Sequence, residues 1–379
     1  MTELIQIFSG LGAGNIGDEM MMHGFWRHLP PAIGLEVMLH ENSRAQHQPY
    51  PERFRYRLMG LRPGEFELDG LKGRPGLLAG TTSVTDAEGW QWPLAFLAPR
   101  LEHFHAQGLP VDAVGIGADR LTTREGRTLF ERHFRRVRSW SVRNEQGRDA
   151  LLEAGVEPAR VVVGADWAWL YEPPADDGRW AAELLAGLGI RVGEPLLVVN
   201  LFWQGHGTSF PIWVDVARVL DRLHAEDGLQ IAFFCNECRH PGFDRTAAEW
   251  VRARMTAPAA LIPNLYYGPG EALALLRHAT VTLGQRYHFF VESVAAKTAP
   301  VMLGRSPKIE GLCREFGMAP LGTLTAIDPE EVIEAVRAAI RDRARLAASI
   351  EQTRQRLARR ALNNLALFAR WYGRAESGL

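Results

Sequence analysis

The sequence predicts an α/β protein of two domains, each built on a mostly parallel sheet with helices on both faces. Apolar runs of strand length alternate with helical periodicity along most of the chain, the pattern of parallel strands joined by crossover helices. At 379 residues the chain is too long for one ordinary domain and long enough for two that each bury a core. Periodicity stops at Glu172-Pro-Pro-Ala-Asp-Asp-Gly178, where proline, glycine and charge mark a linker. The expected division is therefore residues 1–174, residues 175–345, and a C-terminal helix over 346–379 that packs back on the domains.

In the first domain the expected order is strand Leu4 to Ser9, helix Glu19 to Leu29 and strand Leu35 to His40. An irregular Pro- and Arg-rich stretch from Asn42 to Pro75 follows, then strand Leu77 to Ala79, helix Leu94 to Gln107 and strand Ala113 to Ile116. Helix Arg124 to Val137, strand Ser139 to Val142, helix Glu145 to Ala154 and strand Val161 to Ala165 complete it. The second domain repeats the scheme with strand Leu196 to Phe202, helix Ile212 to His224, strand Gln230 to Cys235, and helices Arg245 to Met255 and Glu271 to His278. Strand Val281 to Leu283, helix His288 to Lys297 and strand Val301 to Gly304 come next, then helices Ile309 to Phe316 and Glu330 to Ile340. The basic tail places Ile350, Leu357, Leu362, Leu365 and Phe368 on one apolar side, of the width expected for a helix packed on its own protein.

Composition excludes several classes. A formal net charge of -1 and a pI near 6.9 give no bulk signal for nucleic acid or an anionic membrane. Three cysteines suggest a reducing compartment rather than a disulfide framework. The start runs directly into a strand without a basic region, and no apolar run approaches the ~20 residues that span a bilayer. A cytoplasmic protein is the expectation. Cys235-Asn-Glu-Cys238 has a nearby His240 but no second pair at zinc spacing, so no metal is expected.

Two clusters carry chemistry. The first strand leads into Gly10-Leu-Gly12-Ala-Gly14-Asn15-Ile16-Gly17-Asp18-Glu19, in which Gly12, Gly14 and Gly17 fit a dinucleotide fingerprint with Glu41 as a ribose partner. Asp18 and Glu19 in the following first turn repel a diphosphate, so a capped turn or a loop in which Asn15, Gly17 and Glu19 contact substrate fits better. The second cluster is Gln285-Arg286-Tyr287-His288 after one strand and Lys308 after the next. These turns lie at the sheet edge where open α/β folds bind ligands, so arginine, histidine and lysine there suit an anion. Two facing domains imply a cleft, and Trp203 and His206, after the first strand of the second domain, are placed to meet a sugar.

Together, Gly14-Asn15-Ile16-Gly17-Asp18-Glu19, Arg286-Tyr287-His288 and Lys308 make the chain resemble the polysaccharide pyruvyl transferase family. Gly115-Ile-Gly117, Ser141-Val142-Arg143-Asn144 and Gly164-Ala-Asp166 add to the likeness in family order, over roughly residues 5–320. Two segments depart from the pattern: Ala79-Gly80-Thr81-Thr82-Ser83 stands where the family commonly has a glycine triplet, and Phe289 and Phe290 follow the Arg-x-His element. The resemblance implies two facing Rossmann-like domains of GT-B type and transfer of a pyruvyl group from phosphoenolpyruvate to hydroxyls of a saccharide, free or lipid-linked. Phosphoenolpyruvate is then a donor substrate, with no cofactor. Arg143, Arg286 and Lys308 would hold its carboxylate and phosphate, His288 would shuttle protons, and Asp18 would orient the acceptor hydroxyl. A GT-B glycosyltransferase using a nucleotide sugar is the alternative, followed by an NAD-dependent oxidoreductase and a catalytically idle glycan-binding relative. A peripheral membrane contact and a homo-oligomer stay open.

Overall fold

The computed structural model describes residues 3–8, 14–29, 33–40, 54–59, 75–87, 89–173, 178–202, 210–238, 243–304 and 306–372. Trp203, His206, Gly12, Glu41 and His240 lie outside them. The chain divides into two units. Unit 1 comprises Met1–Ala13, Asp18–Tyr171 and Arg356–Leu379; unit 2 comprises Gly14–Gly17 and Glu172–Gln355.

Unit 1 carries β1 (Glu3–Phe8), β2 (Ile33–His40), β3 (Phe54–Met59), β4 (Gly76–Ala79), β5 (Thr82–Val84), β6 (Val111–Ala118), β7 (Trp140–Val142) and β8 (Val161–Val163). All pair in parallel, in the order β3-β2-β1-β4-β6-β7-β8 with β5 on β6. Helices α1 (Ile16–His28), α2 (Phe96–Ala106), α3 (Arg124–Leu129) and α4 (Glu145–Glu153) connect them, and α1 takes its first two residues from the segment counted with unit 2. The core gathers Leu78, Leu101, Phe104, Ile116, Phe130, Phe134 and Trp140. The expected helix Arg124 to Val137 is continuous to Phe134, but after Leu129 it widens into a π-helical turn over Phe130–Phe134, where Phe130, His133 and Phe134 are all buried.

Unit 2 holds α5 (Arg179–Gly187), β9 (Leu196–Asn200), α6 (Phe210–Asp227), β10 (Gln230–Phe233), α7 (Asp244–Arg252) and β11 (Ala259–Leu261). After these come α8 (Pro269–Leu276), β12 (Val281–Gly284), α9 (Tyr287–Ala295), β13 (Ala299–Met302), α10 (Pro307–Glu315) and α11 (Pro329–Arg341). Its parallel sheet runs β11-β10-β9-β12-β13. The order reverses between β9 and β12, which makes their carboxyl ends the crevice where doubly wound sheets receive ligands. Apolar side chains of β9, β10, β12 and β13 pack under Trp213, Val216, Leu220, Val251, Ile333 and Val336. The last strand begins at Ala299, earlier than expected, and takes Pro300 into its edge position, where a missing N–H leaves no ladder bond unmade.

The final helix, α12, spans Arg343–Tyr372. Among its described side chains, those buried are Ile350, Leu357, Ala361 and Asn364, whereas Leu362, expected on the apolar side, is 42% exposed.

Candidate active site

The switch point of unit 2 is lined by residues that end its strands. Asn200 closes β9, and its amide donates to Phe234 O at 3.0 Å and to Asp244 Oδ2 at 3.1 Å. Gln285 follows β12; its N–H reaches Asn200 O at 3.1 Å and its Oε1 accepts from Phe202 N at 3.1 Å. Arg286 comes next, in extended conformation ahead of α9. Its Nε donates to Asp244 Oδ1 at 2.8 Å, its Nη2 pairs with Asp244 Oδ1 at 2.6 Å and Glu237 Oε2 at 2.9 Å, and its guanidinium lies 4.6 Å from the Phe202 ring. All three charged groups are buried. Burial alone would lower the Arg286 pKa, but Asp244 and Glu237 more than offset it and hold the guanidinium charged. Burial raises the Asp244 pKa, against the opposing pull of Arg286.

His288 is the second residue of α9 and half-buried, with Tyr287 set edge-on to its ring at 5.2 Å. Gly17 explains its place. A Cβ at Gly17 would stand 2.0 Å from His288 Cγ and 2.2 Å from Nδ1, so only glycine lets the imidazole pack on the backbone there. Gly14 adopts a φ of +83° and faces Cys238 Sγ, 2.7 Å from where its Cβ would stand. Between the two glycines, Asn15 caps α1 by accepting from Gly17 N at 3.0 Å. Backbone bonds stitch this turn to the segment after β10: Ile16 N donates to Asn236 O at 3.0 Å, Cys238 N to Gly14 O at 3.0 Å, and Asn15 bridges antiparallel to Glu237. The glycine segment and the Arg286-Tyr287-His288 turn, distant in sequence, thus meet within unit 2.

Among the described residues, the other expected site residues are carried by α1, α10 and unit 1. Asp18 and Glu19 are buried in the first turn of α1, on the unit 1 side of the division. Lys308 is half-buried in the first turn of α10, after the strand next to β12. In unit 1, Arg143 forms a buried ion pair with Asp166 and donates to Thr82 Oγ1 at 3.0 Å. Its guanidinium lies against Gly117, where a Cβ would come within 2.4 Å of Nη2. Asp166 also caps the turn Trp167–Leu170 through Ala168 N at 2.9 Å. Asp86 accepts from the backbone and hydroxyls of Thr122 and Thr123; burial would raise its pKa, but these bonds outweigh it and lower it. Phe289 and Phe290 are fully buried, Phe289 beside Gly284 and Phe234, and Phe290 edge-on to Phe316. They are core side chains.

Sequence reasoning did not single out Asn236, Glu237, Asp244 or Glu292. Glu237 and Asn236 sit inside the Cys235 to Cys238 segment, which drew attention only as thiols; Cys235 is buried, and burial first and Asp244 second push its thiol pKa up. Glu292 carried a usable signal, a lone acid within Phe289-Phe290-Val291-Glu292-Ser293-Val294, a helix reading as buried on every side.

A family model for polysaccharide pyruvyl transferase matches residues 15–307, most of the chain. The chain belongs to the polysaccharide pyruvyl transferase family. The match takes in Asn15, Gly17, Arg143, Arg286 and His288 and stops one residue before Lys308. No curated protein matches the sequence. Among solved structures, a UDP-N-acetylglucosamine 2-epimerase superposes with a TM-score of 0.62 at 13% identity, over 100% of this chain and 98% of the other. A glycosyltransferase from Rickettsia africae gives 0.65 at 10% identity over 97% and 98%. The UDP-GlcNAc 2-epimerase from Neisseria meningitidis, bound to UDP-GlcNAc, gives 0.60 at 11% over 98% and 100%. The protein therefore has the two-domain, Rossmann-like architecture of GT-B type. No helix among the described residues is long and apolar enough to cross a membrane.

These findings correct the expected donor. The folds shared end to end are those of nucleotide-sugar epimerases and a glycosyltransferase. The two arginines expected to hold phosphoenolpyruvate already have carboxylate partners within their own units. Pyruvyl transfer, and phosphoenolpyruvate as donor or partner, are not retained; the family fixes descent and fold, and the site must decide the chemistry.

Proposed function

We propose that this family member acts on a nucleotide-activated sugar as a GT-B-type glycosyltransferase, with His288 as its acid or base. The observation that carries the reading is the junction of Gly14–Gly17 with His288 at the β9/β12 switch point. Arg286 is paired with Asp244 and Glu237, so it braces the turn ahead of His288 and a donor must be held by other contacts. A nucleotide sugar depends less on paired cations: α9 and α10 begin directly after β12 and β13, and the positive ends of their dipoles suit a diphosphate, with Lys308 as a point charge. Base, ribose and sugar then add contact area that phosphoenolpyruvate lacks. The similar folds support the reading, one of them in a structure bound to UDP-GlcNAc.

Epimerisation of the nucleotide sugar is the second reading, favoured by the epimerases among those folds. A saccharide acceptor separates the two, since only transfer consumes it. The test is calorimetric titration with UDP and UDP-N-acetylglucosamine, then UDP release with a panel of saccharides. Binding in the ~1 μM to 1 mM range usual for substrates is expected, and His288→Ala should lower turnover by ~10² to 10⁴-fold while donor affinity holds. Absence of binding by any nucleoside diphosphate or its sugar, or phosphate release from phosphoenolpyruvate instead, overturns the proposal.

A further inference from the structure

Glu292 lies one helical turn beyond His288 on α9 and is fully buried. Both its carboxyl oxygens stand 2.6 Å from Asn236 Nδ2. Asn236, equally buried, is the residue on which the glycine segment hangs. Its N–H donates to Asp244 Oδ2 at 2.9 Å, and its carbonyl accepts the Ile16 N–H at 3.0 Å. The next two residues continue the seam through the Asn15 to Glu237 bridge and the Cys238 to Gly14 bond. From Glu292 the connection passes to the Asn236 side chain, through its backbone to Gly14–Gly17, and from Gly17 back onto the His288 ring. The loop closes on the helix from which it started.

We infer that Glu292 and Asn236 are positioning residues: their buried side-chain pair fixes the segment 236–238, and with it the Gly14–Gly17 turn, against the His288 imidazole. Neither needs to touch substrate. A buried pair of this kind is costly unless its groups satisfy one another, and a helix core position filled by leucine would pack without it. The pair therefore serves geometry: an imidazole displaced by ~1 Å loses much of its effect on a reacting proton. The inference rests on the proposed function only in taking His288 as the working group.

The test has two arms. Hydrogen exchange of the intact protein without substrate reads the amides of Gly14–Gly17, and steady-state kinetics read UDP release from UDP-N-acetylglucosamine. Glu292→Ala and Asn236→Ala should speed exchange in that turn at least ~10-fold and lower kcat ~10-fold or more, with donor KM within ~2-fold. Glu292→Gln, which keeps the size and a hydrogen-bonding amide, should restore both. Unchanged exchange in a folded Glu292→Ala or Asn236→Ala protein overturns the inference, as does a Glu292→Gln protein as impaired as the alanine variant. If Glu292→Ala does not fold, Asn236→Ala and Glu292→Gln carry the comparison. The exchange arm reads without donor, so failure of the nucleotide-sugar proposal would show in the kinetic arm alone.

Discussion

A carboxyl that keeps its proton inside a helix changes how stability depends on pH. Glu292 has its pKa raised from 4.5 to about 8, mainly by burial, with the bond from Asn236 and the charge of Arg286 opposing and Asp244 adding. Asp244 at the start of α7 and Arg286 ahead of α9 are the charges that act on it, and His288 stands one turn earlier on α9, while the buried residues of α8 are apolar and those of α10 are apolar but for Cys313. The sign follows from proton counts. Below pH 4.5 both folded and unfolded chains hold the proton, and between that and about 8 only the folded chain does. Stability contributed by Glu292 therefore falls as pH rises through this window, at up to ~1.4 kcal/mol per unit, and levels off above it. Glu292→Gln removes the titration. Urea midpoints of the two proteins should diverge from pH 5 to pH 8, with the Gln variant gaining; a gap that stays constant would show that Glu292 does not bind its proton in the fold.

At the scale of elements, the junction of α12 with the β7 and β8 ends shows what the linear sequence conceals. Asn364 donates to Ala165 O at 2.7 Å and accepts from Ser141 Oγ, and its Oδ1 lies 1.8 Å from where a Gly164 Cβ would stand. Arg360 adds bonds to Gly164 O at 2.8 Å and Arg143 O at 3.2 Å. A helix that reads as an amphipathic tail is thus pinned by a buried amide, and Asn364→Ala, which strands Ser141 and a carbonyl, should cost unit 1 about 1–3 kcal/mol, measured by urea unfolding. The alternation of strands and helices was legible because parallel strands buried on both faces are short apolar runs. β3 was not: Phe54-Arg-Tyr-Arg-Leu-Met59 is an edge strand whose sequence has no apolar run and merges with a Pro- and Arg-rich stretch. β5, Thr82-Ser-Val84, is mostly polar, and β11, Ala259-Ala-Leu261, has no β-branched or aromatic residue, so neither reads as a strand. In the site, Arg286 and His288 were legible from their turn, and the place of Gly17 from its loop. The partners of Arg286 were not, because Glu237 and Asp244 arrive from 49 and 42 residues away and nothing local marks them as facing inward.

Each unit has a core of its own, so the molecule offers a way to locate the donor without a structure of the complex. The proposed phosphate contacts, the starts of α9 and α10 with Lys308, belong to unit 2. A ligand that binds only the folded state stabilises it by about 2.7 kcal/mol at 100 times its Kd. For a unit of this size that corresponds to ~5–10 °C in Tm. Calorimetry should therefore resolve a transition that UDP raises by this amount and another that it leaves nearly unchanged. Asn364→Ala identifies the second, because its bonds lie wholly within unit 1: the variant should lower that transition and leave the UDP-sensitive one in place. His288→Ala should keep the UDP shift, since the histidine is assigned to proton transfer and not to the diphosphate. A UDP shift confined to the transition that Asn364→Ala lowers would move the donor site to unit 1 and remove the switch point of β9 and β12 from consideration.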